Sequence, residues 1–260
     1  MKCMDIMKRL EILAPAHFAE SWDNVGLLAG RKTKEVKKVY LAVDATDEVV
    51  EEAIEVGADM LITHHPLIFS PLKSITEDDF ISRRILRLLQ ADMCYYAMHT
   101  NFDVMGMADA AADEMMLKNR QVLEVTYEDD ISKEGIGRFG RLPGAMSLAE
   151  CAKLVKKTFD LESVRVYGDL QEQVEVAAIS PGSAKTVVPH ALQAGVDVLI
   201  SGDVDYHMGI DAVAQGLCVI DAGHYGLEKL FVPYMKDYFA RNLPDIMVEA
   251  AEEKSPFAVI

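Results

Sequence analysis

Short runs of Val, Ile and Leu alternate along the chain with stretches whose apolar positions recur at helical spacing. This is the βαβ pattern of a mainly parallel sheet covered by helices. The first repeat of the pattern predicts a strand at 36–43, a helix at 47–56 and a strand at 58–63, with Gly57 where a helix would stop. A helix at 81–91 leads to a strand at 93–98. In the second half, Ser147 and Glu150 have the spacing of a capping box that opens a helix to about 159. Strands at 164–167 and 174–179, a helix at 185–194, a strand at 197–201, a helix to 215, a strand at 217–221 and a helix from 225 follow. The expected class is α/β, with two similar lobes, each a mainly parallel sheet with flanking helices.

An internal echo supports two related lobes. Glu55-Val-Gly-Ala-Asp-Met-Leu-Ile-Thr63 matches Gln193-Ala-Gly-Val-Asp-Val-Leu-Ile-Ser201, 138 residues later, and each segment follows a strand and a helix. The polar cluster of Asp129, Asp130, Ser132, Lys133 and Glu134 suggests the boundary, giving an N-terminal lobe at 1–130 and a C-terminal lobe at 131–260. The last strand and helix could pack on the first lobe.

Charge narrows the function classes. With 26 basic and 42 acidic residues among 260, the formal net charge is −16, which argues against a general nucleic-acid binder. Half the residues are apolar and 26% are charged, as in ordinary globular domains. No run approaches the ~20 apolar residues of a membrane span, and residues 1–12 are broken by Asp5, Lys8, Arg9 and Glu11, unlike a signal peptide. The expectation is a cytoplasmic protein with no membrane partner. Cys3, Cys94, Cys151 and Cys218 lie far apart with no C-x-x-C pair, so buried thiols are expected instead of a zinc knuckle or a disulfide framework.

The candidate chemistry sits where strands end. The strand at 58–63 runs into His64-His65-Pro66, and Pro66 holds His65 extended. Adjacent strand residues face opposite ways, so the two imidazoles can share a site only if the backbone bends at the exit. The strand at 93–98 ends in His99-Thr-Asn-Phe-Asp103. The strand at 217–221 is followed by His224 and Glu228, four apart at a helix start and therefore on one face. Ligand sites of parallel sheets lie at the carboxyl ends of their strands, so all three sets could converge. Imidazole and carboxylate donors suit zinc, iron or manganese, and a bridging carboxylate can hold two such ions.

These residues carry a resemblance. Trp22-Asp-Asn-Val-Gly26, Thr63-His-His-Pro66, His99-Thr-Asn-Phe-Asp103, Gly135-x-Gly-Arg-x-Gly140 and Asp221-Ala-Gly-His-Tyr225 with Glu228 occur in the order seen in the Nif-three-like dinuclear-metal family, the GTP cyclohydrolase type-two homologues. The chain resembles that family over nearly its whole length, in its short form without an inserted middle domain. The resemblance implies a metal site in a cleft between the lobes and a homohexamer built as a trimer of dimers. It implies two divalent transition-metal ions per chain, zinc, iron or manganese, held by His64, His65, Asp103, His224 and Glu228. His99 would stand beside them as proton donor or supporting group. The implied activity is metal-dependent hydrolysis, with an activated water opening the imidazole ring of GTP. A non-catalytic protein of metal handling or regulation would use the same ligands. Two divalent ions outweigh the charges of Asp103 and Glu228, so a small anionic substrate is compatible with the acidic chain.

Other signals are weaker. Gly135 to Gly140 satisfies G-x-G-x-x-G, but Pro143-Gly144 follows where a helix should open, which predicts a glycine-interrupted strand with Arg138 facing the cleft. The basic run Arg31 to Lys38 is expected to be a solvated face. In many relatives the turn at Ser180 to Ala184 is richer in glycine, which weakens a substrate-cradling role for Gly182 and Ser183. Asp203-Val-Asp-Tyr-His207 offers side chains at alternating positions after a strand and could be a second ligand set, although His207 is expected only to border the site. Trp22, the single tryptophan, either lines the cleft or anchors the N-terminal helix. Met105, Met107, Met115 and Met116 read as core filler.

Overall fold

The computed structural model describes residues 1–260. The fold is two-lobed α/β, and the chain divides into two compact units. Unit 1 comprises Met1–Phe102 and Phe231–Glu253; unit 2 comprises Asp103–Leu230 and Lys254–Ile260.

Unit 1 begins with α1 (Cys3–Leu13), a 3-10 turn at Ala16–Phe18 and β1 (Gly26–Ala29). It continues through β2 (Lys38–Ala42), α2 (Asp47–Glu55), β3 (Met60–Thr63), α3 (Phe80–Gln90), β4 (Cys94–Ala97) and α4 (Thr100–Phe102). The Thr46 hydroxyl accepts from the Val49 amide and the Asp79 carboxylate from the Ser82 amide, so both α2 and α3 open on side-chain caps.

Unit 2 opens with a π turn at Asp103–Met107 and α5 (Ala108–Glu114). Then come β5 (Lys118–Glu128), β6 (Lys133–Ser147), α6 (Leu148–Thr158), β7 (Arg165–Tyr167), β8 (Gln173–Ser183), α7 (Val187–Ala194), β9 (Val198–Gly202), α8 (Tyr206–Ala214), β10 (Cys218–Asp221) and α9 (His224–Glu228). Ser147 and Glu150 form the expected capping box at the start of α6. The chain then returns to unit 1 as α10 (Phe231–Asn242) and β11 (Met247–Ala250).

The first sheet has the order β1-β4-β3-β2-β11, parallel except for β1, and the second β5-β6-β8-β9-β10-β7. In the second, β8, β9 and β10 are parallel while β5, β6 and β7 pair antiparallel. Alternate residues of β9 enter different cores: Val198 and Ile200 pack in one cluster with Leu148 and Val155, and Leu199 in another with Val187 and Ala191. Coverage on both faces is why the parallel strands read as continuous apolar runs. All four cysteines are buried free thiols, and no helix is long and apolar enough to cross a membrane.

The units part at Phe102 and Asp103 instead of near 130. The polar cluster that suggested the later boundary is the turn of a hairpin. Asp129 Oδ1 accepts from the amides of Ile131 and Ser132, both at 2.8 Å, and the Asp129 amide donates to Ser132 O, closing β5 onto β6. Two glycines of the 135–140 motif are explained by the same pairing. A Cβ at Gly135 would fall 1.8 Å from Glu124 O, and one at Gly140 2.5 Å from Lys118 O. Arg138 is buried and committed within unit 2, donating to both Asp109 carboxylate oxygens and to the carbonyls of Gly135, Gly137 and Val104. The basic run is held in ion pairs, with Arg31 and Lys34 on Asp92 and Lys38 on Glu249. Of the four methionines read as core, Met107 and Met115 are buried, but Met116 is 56% exposed.

Candidate metal centre

The site in unit 1 is built at the exits of β3 and β4. Amides of His64 and His65 still donate to Ala42 O and Val43 O, so the ladder with β2 and the residue after it extends past Thr63. A polar knot then bends the chain. The Tyr95 hydroxyl and the Thr63 hydroxyl both donate to His65 O, and the Leu67 amide donates to the Tyr95 oxygen. Burial pushes the Tyr95 phenol far up, so it remains a donor. The bend brings the two adjacent imidazoles to 4.9 Å between centroids, and His99, arriving after β4, lies 5.3 Å from His64 and 5.4 Å from His65. One ligand atom from each of His64, His65 and His99 lies within 4.8 Å of the others.

Each ring is oriented by a fixed acceptor. His64 Nδ1 donates to Met98 O at 2.8 Å, His65 Nδ1 to Asp44 Oδ1 at 2.8 Å and His99 Nδ1 to Asp23 Oδ1 at 2.9 Å. A carbonyl or carboxylate can only accept, so in the neutral rings the proton sits on Nδ1 and the lone pair on Nε2. This is the arrangement of metal-binding histidines. Burial raises the Asp23 carboxyl, but hydrogen bonds from His99 and Thr100 outweigh it and hold the group at about 2. Asp23 is therefore a carboxylate facing His99 at any neutral pH.

In unit 2, His224 and Glu228 share one face of α9, as their spacing predicts. His224 Nε2 stands 3.0 Å from Glu228 Oε2, while Nδ1 donates to Asp203 Oδ2 at 2.8 Å. Both ends of the ring face carboxylates, so a cation placed here would offset their negative charge. Glu228 is 2% exposed, and Gly182 makes room for it, since a Cβ there would lie 2.9 Å from Glu228 Oε1. Asp103 is the first residue of the π turn, a distortion common at functional sites. Exposed His207 packs against Tyr206 in α8 and belongs to none of the ligand groups.

The donor chemistry fits a divalent ion: imidazoles with committed Nδ1 atoms in unit 1, and an imidazole beside a buried carboxylate in unit 2. The sequence pattern marked the five ligand candidates and His99, and it included Asp23 and Asp203 without their role of orienting imidazoles; Asp44 it missed. Asp44 and Asp203 each follow a strand end by one or two residues, a signal that could have found that role.

A Clostridium perfringens protein named GTP cyclohydrolase 1 type 2 homolog is 34% identical over the full length of both chains. A Staphylococcus aureus protein of solved structure is 31% identical with TM-score 0.89, covering 100% of this chain and 99% of its own. Reduced HcgD from Methanocaldococcus jannaschii is 30% identical with TM-score 0.83, covering 96% and 97%. The model of the family Duf34/NIF3 (NGG1p interacting factor 3) matches residues 1–256, and the chain belongs to that family.

Proposed function

We propose that the protein is a dinuclear metal-dependent hydrolase acting on a nucleotide-like substrate, in the manner of a GTP cyclohydrolase. His64, His65, Asp103, His224 and Glu228 would hold two divalent ions, zinc, iron or manganese. The supporting observation is the committed Nδ1 atom of every candidate imidazole, which a chance cluster of surface histidines would lack. When bound, the ions supply Lewis acidity, lowering the pKa of water and offsetting the charge that develops on attack. His99 would take a proton at Nε2 from the attacking water and pass it to the ring nitrogen leaving C8 of the guanine, while Asp23 keeps accepting from Nδ1 and fixes the ring. The same reading takes the protein to be a homohexamer, a trimer of dimers, in the cytoplasm, and it rests there on the family resemblance.

The test is metal content and turnover together. Wild type loaded with zinc, manganese or iron should hold two ions and hydrolyse at least one compound in a panel of nucleotides and phosphoesters. His99→Ala should keep both ions and lose ~10²–10⁴-fold in rate. Glu228→Ala should lose both ions if that carboxylate bridges. Two ions without turnover across the panel would instead assign the protein to metal handling, and loss of metal from His99→Ala would make His99 a ligand. A monomer by light scattering would remove the hexamer.

A further inference from the structure

Two exposed aromatic side chains stand against His99, and the hydrolytic reading uses neither. Trp22 is 59% exposed and meets the imidazole edge-on at 5.9 Å and 72°. Phe69 is 49% exposed and meets it at 5.6 Å and 84°. Single apolar side chains on a surface need no explanation, but these two converge on one ring. The backbone beneath them is also fixed. Asp23, next to Trp22, has a fully buried side chain that accepts from His99 on one oxygen and from the Thr100 amide and hydroxyl on the other. The Asn24 side-chain amide donates to Ile68 O at 2.7 Å, tying the turn that carries Trp22 to the segment that carries Phe69. The Glu20 amide closes the other side on Thr100 Oγ1 at 2.9 Å.

Fold stability does not explain this arrangement. The same tryptophan turned inward would take more apolar surface out of water, yet buried polar groups hold its turn where the indole remains uncovered. An uncovered aromatic pair carried on a hydrogen-bonded backbone is what a flat ligand requires, because ring stacking needs an accessible face and a fixed backbone leaves less to be ordered on binding. Every nucleobase has such a face.

We propose that Trp22 and Phe69 form an aromatic clamp that stacks the planar heteroaromatic ring of the substrate, a purine-like base, beside His99. The clamp takes its place in catalysis from the hydrolase reading, but its binding of the base does not need the metals. It makes the ring the recognised part of the ligand, which suits a chain that carries no P-loop.

Trp22 is the only tryptophan, so its emission reports on the clamp directly. The probes are GTP, guanosine and tripolyphosphate, titrated into chelator-treated and metal-loaded protein. GTP and guanosine should quench Trp22 saturably in both forms, and tripolyphosphate should not. By calorimetry, Trp22→Ala and Phe69→Ala should each weaken GTP binding about tenfold or more, while Trp22→Phe retains most of the affinity. Absence of saturable quenching by guanosine overturns the clamp, as does equal quenching by tripolyphosphate. Trp22→Ala that alters the mass by light scattering but leaves GTP affinity unchanged would also overturn it, making Trp22 a subunit contact. Two bound ions without quenching would sink the clamp and leave the metal reading standing. Quenching by a protein that takes up no metal would do the reverse.

Discussion

The two units are built on one scaffold and diverge where their strands end. In unit 1 the register runs Val39↔Met60↔Cys94 across β2, β3 and β4, and in unit 2 Ala177↔Val198↔Cys218 across β8, β9 and β10. Each trio is flanked by a short antiparallel strand, β1 or β7, followed by a glycine whose Cβ would strike the cysteine of the neighbouring strand, Gly30 on Cys94 and Gly168 on Cys218. The helix before each central strand ends at a left-handed glycine, Gly57 at φ +67° and Gly195 at φ +65°. Beyond Thr63 and Ser201 the likeness stops. Unit 1 continues His64-His65, unit 2 Gly202-Asp203, and the result is three imidazoles in one and a carboxylate-rich set in the other. The framework has been kept and the chemistry placed on the exits, as expected where loops carry function on a rigid sheet.

The largest expected effect tests that divergence. Position 64 carries an imidazole, whereas its counterpart Gly202 has no space for any side chain: a Cβ would lie 2.4 Å from His224 N and 2.7 Å from Gly223 C. Gly202→Ala should therefore cost at least about 3 kcal/mol, read as a lower denaturant midpoint at unchanged slope. Stability within about 0.5 kcal/mol of wild type would mean that both exits tolerate side chains alike, and the contrast would be lost.

A smaller effect separates the two aspartates that orient His99 and His224. Asp23 is buried, while the Asp203 side chain is 57% exposed. The Asp23 carboxyl lies at about 2 when folded against an ordinary 3.8. A depressed pKa favours the folded state above the ordinary value, and the benefit fades as pH falls from about 4 toward 2. Asp23→Asn should thus cost about 2 kcal/mol at pH 7 and progressively less in acid, while Asp203→Asn stays within about 0.5 kcal/mol. Urea titrations of both variants at pH 7 and near pH 3 check this. Equal costs at pH 7, or a cost for Asp23→Asn that does not shrink in acid, would show that Asp23 does not act through its charge.

Much of the scaffold was legible because it is local. The capping box at Ser147, the glycine stops and the apolar runs of β3, β4, β9 and β10 are each set within a few residues. The long hairpin of β5 and β6 was misread at its turn because β5 is an edge strand with mostly exposed positions, so Asp129 to Glu134 looks like a linker when only pairing with β6 makes it a turn. The short edge strand β1, partly exposed throughout, gives no apolar run to read. At the site, ligand types and strand-end positions could be seen, but the partners that orient them could not. Asp23 lies 76 residues from His99 and Asp44 lies 21 from His65. Trp22 shows its relation to His99 only once the chain has folded.

The smallest expected effect asks whether the shared scaffold is energetically shared. Asp59 and Asp197 occupy equivalent places before β3 and β9. Asp59 Oδ2 accepts from the amides of Lys37 and Lys38 at 2.8 and 3.1 Å, and Asp197 Oδ2 from those of Glu175 and Val176, both at 2.8 Å. Each carboxylate ties the start of its central strand to the neighbouring strand, β2 or β8. Removing either acceptor strands two amides, and a typical net cost is about 1 kcal/mol. Asp59 also has Lys34 Nζ at 3.4 Å, a partly exposed pair that adds little. Asp59→Ala and Asp197→Ala should therefore lower stability by similar amounts, the first slightly more. Each should speed hydrogen exchange at its own amides, Lys38 in one variant and Val176 in the other, without altering exchange at the other pair. A measurable loss from one substitution and none from the other would show that the two lobes share geometry but not the interactions that hold it.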